Sequence, residues 1–210
     1  MKWEWFLGIA VSALSVINGL MLLRNYLRDR PILKVDPIHP DTYQWFFSLP
    51  NGIYQGRPTR KFGFLAYVGI INKGVRDVSL NSWRLNLKII GGKKFEFKPM
   101  SIPEPQIQLG QSDYLKAWPV LGQKGVFFPG DTMVKSGSSI AGFAYYIAEF
   151  YGEDSWNLLI KNGKVTGYFV VKGVYGRKAT AKIIFNEIPL EQAKKMIPNV
   201  DKIDAKAGDP

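Results

Sequence analysis

The sequence is short of the residue types that do chemistry. It has no cysteine, which excludes disulfides, thiolate metal sites, a cysteine nucleophile and an acylated cysteine, while leaving the compartment open. Its 1 histidine, His39, stands in Asp36-Pro37-Ile38-His39-Pro40-Asp41. Two carboxylates and an imidazole fall short of a converging metal site, and the prolines read as a stiff extended linker. A Ser-His-Asp triad would have to run through that linker, and no G-x-S-x-G elbow supplies its serine; Ser136-Gly137-Ser138-Ser139 reads as a turn. No glycine-rich phosphate loop precedes Lys135-Ser136. Glu153 and Asp154, beside Tyr151 and Trp156, are the mixture glycosidases use, but adjacency in sequence does not supply the roughly 5–10 Å separation that mechanism needs. They read as a solvated turn. The expectation is a non-enzymatic protein with no cofactor and no metal.

Charge is also scarce, at 21% of residues, against 46% hydrophobic and 14% aromatic. That balance builds a core rather than a disordered chain. With a membrane helix at the front, 210 residues leave room for one ordinary domain. The net charge of +11 is uneven: residues 31–98 hold 11 Lys/Arg against 4 Asp/Glu, residues 99–210 hold 13 against 11. A basic segment close to a bilayer gains about 1 kcal/mol per cation that reaches anionic lipid. Nucleic acid is not expected as a partner, because the excess is spread along strands without a recognition motif.

One long apolar run is present. Phe6 to Leu23 contains 18 residues without a charge, about 27 Å of helix at 1.5 Å per residue and enough to cross most of a bilayer core. Trp3, Trp5 and Tyr26 bracket it at headgroup level. No small-x-small cleavage site follows, so the run reads as an anchor rather than a removed signal. Arg24, Arg28, Arg30 and Lys34 follow the helix and only Lys2 precedes it, which predicts a cytoplasmic domain. Gly8, Ser12, Ser15 and Gly19 fall within a wedge of about 60° at 100° per residue. With Asn18 beside them they form a smooth stripe for a second helix, in a homo-oligomer or with a membrane-protein partner. A second candidate surface is a basic face for anionic lipid or ligand, drawn from Arg24, Arg28, Arg30, Lys34, Arg57, Arg60, Lys61, Arg84 and Lys88.

Past the helix, turn residues punctuate short apolar runs at near ten-residue spacing, which predicts an all-β domain. Expected strands are Ile32–Val35, Tyr43–Leu49 ending at Pro50-Asn51-Gly52, and Lys61–Asn72, apolar on both faces and therefore central. Ser82–Ile90 alternates Trp83, Leu85, Leu87 and Ile89 with polar residues, then turns at Gly91-Gly92 into Phe95 and Phe97. Residues 99–130, rich in Pro, Gly and Gln, read as a long connection with short extended pieces, since Pro103 and Pro105 exclude a central strand. Ile140–Ala148, Leu158–Lys161, Val165–Lys172 and Lys178–Phe185 complete the set, with a turn at Asn162-Gly163. Pro189 opens a short helix to about Ile197, supported by Glu191 and Lys195 at i, i+4 and ended by Pro198; the polar tail after it is expected to fray.

Arg28-Asp29-Arg30-Pro31-Ile32-Leu33-Lys34-Val35 behind a lone membrane helix resembles the entry to a loose group of uncharacterised bacterial single-pass membrane proteins with a basic juxtamembrane segment and a small β-sandwich. Ile70-Ile71-Asn72-Lys73-Gly74 and Ser82-Trp83-Arg84-Leu85 are similar to the strand, turn and strand pattern of immunoglobulin-like domains. The resemblance implies architecture only and transfers no catalytic residue. The expected fold is mainly β: a transmembrane helix with flanks (1–27), a basic linker and first strand (28–42), an immunoglobulin-like antiparallel β-sandwich (43–187), and a short helix with a flexible tail (188–210). The expected function is a membrane-anchored interaction module, the alternative an anionic-lipid or ligand sensor.

Overall fold

The computed structural model describes residues 2–30, 32–103, 105–109, 113–116, 118–121, 123–124, 128–129, 133–151, 157–174 and 176–203. Pro31, Glu153, Asp154, Trp156 and the tail from residue 204 lie outside them. In chain order the elements are α1 (Lys2–Arg28), β1 (Leu33–Pro37), β2 (Gln44–Tyr54), β3 (Arg57–Asn72), β4 (Val78–Lys88), β5 (Lys94–Phe97), β6 (Gln106–Leu109), β7 (Asp113–Lys116), β8 (Gln123–Lys124), β9 (Phe128–Pro129), β10 (Met133–Val134), β11 (Ser139–Tyr151), β12 (Ile160–Lys161), β13 (Lys164–Gly173), β14 (Lys178–Glu187), α2 (Leu190–Met196) and a 3-10 turn (Val200–Lys202). The chain is mainly β, with one apolar helix in front and a short helix behind.

The span Trp5–Leu27 is 23 residues, long and apolar enough to cross a membrane, and none of it is buried against the domain. The domain is organised on β3. Along one edge β3 pairs with β11 from Thr59 to Ile71; along the other it pairs first with β2 and then with β1. Its even residues Phe62, Phe64, Ala66, Val68 and Ile70 enter one core, and Leu65 and Tyr67 enter a second on the opposite face. An apolar run without alternation is what a strand buried on both faces requires.

The first core lies between two half-sheets. One is β11, β3, β2 and β1; the other is β14, β13, β4 and β5. Rings meet across it: Phe64 and Phe185 at 5.2 Å, Phe97 and Phe150 at 6.1 Å, Tyr146 and Phe169 at 6.3 Å. The halves join where Asn186 and Glu187 of β14 run parallel to Trp45 and Phe46 of β2. That pair makes the sheet mixed, where an antiparallel sandwich was expected. At the other side the chain leaves β5 through Lys98 and Pro99 to Met100, whose N–H donates to the Tyr145 carbonyl of β11 at 2.8 Å. The edge of β11 is thereby partly covered, which blunts pairing with a foreign strand.

The second core is on the far side of β2, β3 and β11. Phe47, Leu49, Leu65, Phe143, Tyr145 and Ile147 are covered there by Ile102 and Val120 of the long connection and by Ala193, Met196, Ile197 and Val200 of the C-terminal segment. Tyr67 and Phe143 stack at 4.6 Å and Phe47 and Tyr145 at 6.2 Å. So the connection and the last helix form a third layer.

Several boundaries move for identifiable reasons. β2 does not stop at Pro50-Asn51-Gly52; it bulges there, because Pro50 has no N–H for the ladder, and Gly52 donates its N–H to Thr59 Oγ1 at 3.2 Å. The chain reverses instead at Gln55-Gly56, with φ of 51° and 73°, as a two-residue hairpin turn demands. Asn162-Gly163 does the same between β12 and β13, as expected. β4 begins at Val78 rather than Ser82: Asn81 is an extra residue opposite the Lys172–Gly173 step, so burial switches from Val78 and Leu80 to Leu85, Leu87 and Ile89. His39 is not in an extended linker. It takes a left-handed φ of 46° in the turn between β1 and β2, where its carbonyl accepts the N–H of Thr42 and of Tyr43.

At the C-terminus Glu191 pairs with Lys194 at 3.4 Å, one residue short of the expected Lys195, and Lys194 also meets Asp201 at 3.1 Å. The ion pair ties α2 to the 3-10 turn. The hydrogen bond from Lys194 holds the Asp201 carboxyl below its usual range, and Asp201 in turn holds the ammonium up. Burial, with Asp201 adding, keeps the Tyr145 phenol well above the ordinary tyrosine range, and burial does the same for Tyr146.

A methyl group at Gly142 would lie 2.6 Å from the Leu121 nitrogen and 2.9 Å from its Cα, so Gly142→Ala must push the covering segment off β11. Urea denaturation should show a loss of about 1–3 kcal/mol; an unchanged midpoint would mean that this segment does not hold the sheet. A depressed carboxylate stabilises above its unfolded pKa and ceases to as pH falls through the folded one; a raised ammonium stabilises below its unfolded pKa and ceases to above the folded one. The Lys194–Asp201 contribution is therefore full between pH 3.8 and 10.5. The stability gap between the natural chain and Asp201→Asn should be flat across that window and shrink outside it on both sides.

Candidate binding surface

The alternation that buries one side of β4, β5, β13 and β14 exposes the other. In β14, Ala179, Ala181, Ile183 and Phe185 face the first core, which leaves Lys178, Thr180, Lys182 and Ile184 outside. In β13 the outward set is Lys164, Thr166, Tyr168, Val170 and Lys172, and in β4 it includes Arg84, Asn86 and Lys88. β5 adds Lys94 and Glu96. The strands bring these together in rows: Lys182, Tyr168, Asn86 and Glu96 cross the middle, while Lys178 sits opposite Lys172 and Lys94 opposite Lys88. At about 3.3 Å per residue and 4.8 Å per strand the face measures roughly 26 by 14 Å.

Its electrostatics are one-sided. Glu96 is paired with Arg84. Among the described residues no carboxylate lies within 4.0 Å of Lys88, Lys94, Lys164, Lys172, Lys178 or Lys182. Like charges directly opposite each other destabilise a sheet by a few tenths of a kcal/mol to about 1 kcal/mol. Two such pairs stand on this face. Half-buried Tyr168 and Val170 between the lysines provide a semi-apolar floor.

The expected basic residues do not form one surface. Arg84 and Lys88 belong to this face. Lys61 points out of the other half-sheet, toward the second core's side, and pairs with Glu149 at 3.6 Å. Arg57, Arg60 and Lys61 stand near the start of β3, whereas α1 enters the domain beside its end at Asn72; 11 to 15 strand residues separate them, about 36–50 Å. Lys34 is paired with Asp36 at 2.6 Å, and the Arg30 guanidinium lies 4.7 Å over the Tyr26 ring. Arg24 is exposed on α1, and the Arg28 side chain lies outside the described residues. Gly8, Ser12, Ser15, Asn18 and Gly19 are all exposed on α1, and a methyl at Gly8 or Gly19 would meet nothing within 4 Å.

Lys94, Lys164, Lys172, Lys178 and Lys182 were absent from the sequence-derived set. Their signal was the polar half of the same alternation that marked the core. It becomes a surface only once the pairing β5-β4-β13-β14 is known. Among the described residues no group of three or more His, Cys, Asp or Glu is placed to hold a metal.

No protein-family model matches the chain, and no curated protein does. Two solved structures, a Northeast Structural Genomics Consortium target and a Bordetella pertussis protein provisionally called ApaA, are 11% and 13% identical, each covering 76% of this chain and 86% and 96% of their own. With a TM-score of 0.30 for both, the likeness carries no functional weight.

Lys178→Glu replaces a repulsive cross-strand pair with an attractive one. The expected outcome in chemical denaturation is a gain of about 0.2–1 kcal/mol that fades at high salt. A loss of stability would show that the lysine serves the fold.

Proposed function

We propose that this protein is a membrane-anchored, non-enzymatic interaction module in which α1 spans the bilayer, the β domain stands on the cytoplasmic side, and the lysine-rich face of β4, β5, β13 and β14 takes an acidic segment of a membrane-protein partner. The reading is carried by the convergence of six lysines on one face without carboxylate partners among the described residues. Lys172 and Lys178 lie near the end of the domain that α1 enters; Lys88 and Lys164 lie about 20 Å and about 26 Å further along the strands, two to three Debye lengths at physiological salt. A bilayer at the α1 end does not answer the distal charges. A partner alongside the domain does. Among the described residues, the groups whose protonation is displaced, Tyr145, Tyr146, Lys194 and Asp201, are engaged in packing and an ion pair, which suits binding rather than proton transfer. Orientation rests on Arg24, Arg28, Arg30 and Lys34 against Lys2.

A second association route is supported by the uncovered stripe of α1. Small residues let a neighbouring helix approach closely, and serine hydroxyls can bond across the contact. The two routes are compatible, since a helix partner would bring its own juxtamembrane segment beside the lysine face.

Crosslinking in sealed native membranes tests both. Lys88→Glu/Lys164→Glu/Lys182→Glu should abolish a salt-sensitive adduct that the natural chain forms, whereas Gly8→Leu/Ser12→Leu/Ser15→Leu/Gly19→Leu should abolish a salt-insensitive one. Protease added to inverted vesicles should digest the domain. Adducts indifferent to the charge reversals would remove the lysine face from the proposal, and a protected domain would reverse its orientation.

A further inference from the structure

Where α1 runs into the domain, three loops meet. They are residues 73–77 between β3 and β4, residues 135–138 between β10 and β11, and, between β13 and β14, the described residues Val174, Gly176 and Arg177. Val75 is 52% exposed at the tip of the first and Val174 60% exposed at the tip of the third. Lys73, Lys135 and Arg177 are exposed around them.

These loops are braced. The buried Asn72 side chain donates to the carbonyls of Arg76 at 2.6 Å and Val134 at 3.1 Å and accepts the Gly74 N–H at 3.0 Å. Ser136 Oγ donates to the Gly74 carbonyl at 2.9 Å, and Asp77 accepts the Ser136 N–H at 2.8 Å. The Val174 N–H donates to the Ser79 carbonyl at 2.9 Å. A valine tip held out by such a frame is a presented residue.

The same end is fixed to the helix. Asp29, one residue past α1, pairs with Arg76 at 3.0 Å, and the Lys73 N–H donates to the Ile32 carbonyl at 2.7 Å. Only residues 29–32 separate α1 from β1, so the loops have a reach of a few residues from the end of the apolar span. Arg30 adds a further cation at that level.

We infer that this end of the domain is a docking surface for the anionic face of the bilayer that α1 enters: Val75 and Val174 insert at headgroup depth while Lys73, Lys135 and Arg177 meet lipid phosphates. Apolar tips in a cationic collar are complementary to that interface, where acyl chains lie beneath negative headgroups. The inference rests on the reading of α1 as a membrane span. It goes beyond that reading by making the domain a seated body with a set orientation rather than a ball on a tether. The lysine face then runs away from the membrane.

The cysteine-free sequence allows a single spin label at any chosen site. In the full-length chain in nanodiscs, labels at Leu14→Cys, Val174→Cys and Ile53→Cys report the span, the proposed docking tip and the hairpin end of β2. With phosphatidylglycerol present, oxygen should reach the Val174 label far more readily than a water-soluble nickel chelate does, and the reverse should hold at Ile53. Lys73→Glu/Lys135→Glu/Arg177→Glu, or purely zwitterionic lipid, should erase that preference. A Val174 label that is as wet as Ile53 while Leu14 reports the bilayer core overturns the docking surface and leaves the anchor standing. A wet Leu14 label overturns the anchor and the docking together. A Val174 label shielded from both reagents would point to protein contact, and lipid contact persisting in zwitterionic bilayers would remove the role of charge; either result overturns the inference.

Discussion

β3 is apolar on both faces, and burying both requires a layer on each side. From that requirement comes the half-sheet of β4, β5, β13 and β14 over Phe62, Phe64, Val68 and Ile70, and the cover of connection and C-terminal helix over Leu65 and Tyr67. Burial of an apolar side chain stabilises by roughly 1.5–3 kcal/mol. Leaving either face of a strand this long in water would forfeit several such terms. The third layer is therefore part of the fold, although the described part of the connection contributes only short strands to it. Among the described residues the connection is held by the Met100 N–H on the Tyr145 carbonyl, by residues 119–121 on Phe143, by Ile102 and Val120 in the second core, and by ring contacts of Trp118 with Phe143 at 6.0 Å and Tyr43 at 5.6 Å.

β3 also sets the two ends of the molecule. Its last residue, Asn72, is buried and spends its side chain on the loops beside α1. Each such bond is worth about 1 kcal/mol net, and leaving the group unpaired would cost more than the bond contributes. Its first residues carry the hairpin with Arg57 and the exposed Ile53 about 50 Å away. One strand thus separates the end beside α1 from a distal tip, and residues that are neighbours in composition become remote in space. This is why the nine cations grouped as one basic face in the sequence divide among α1, the segment after it with Arg30 and Lys34, the distal tip and the outer lysine face.

The strands were legible wherever one face is core and the other is water. Lys178–Phe185 and Trp83–Ile89 announce themselves by period two, and Asn162-Gly163 by its turn chemistry. What failed was local in origin. A bulge looks like a strand end when it contains Pro50 and Gly52, and an inserted Asn81 breaks the phase that would have extended β4 back to Val78. Strand order has no local signature. Nothing in the alternation of Lys164 to Lys172 says that it lies between β4 and β14, so the lysine face was readable as separate rows of polar residues but not as a surface. The spacing of turn residues supplied the mainly β architecture, and the parallel β2–β14 contact lay beyond it.

The lysine face is the one place where local rules and global arrangement conflict. A sheet selected only for solubility would set opposite charges across from one another, as Arg84 and Glu96 are, and gain a little from each pair. Lys88 against Lys94 and Lys172 against Lys178 forgo that gain and add repulsion, and the chain has carboxylates elsewhere that could have served. A cost of this kind, about 1 kcal/mol in sum, is tolerable in a fold with two cores. It is retained more readily where an external negative charge removes it on contact. In the proposed complex, repulsion in the free domain would add to the driving force for binding, because an acidic partner would supply its own attraction and also relieve the repulsion of the lysines for one another.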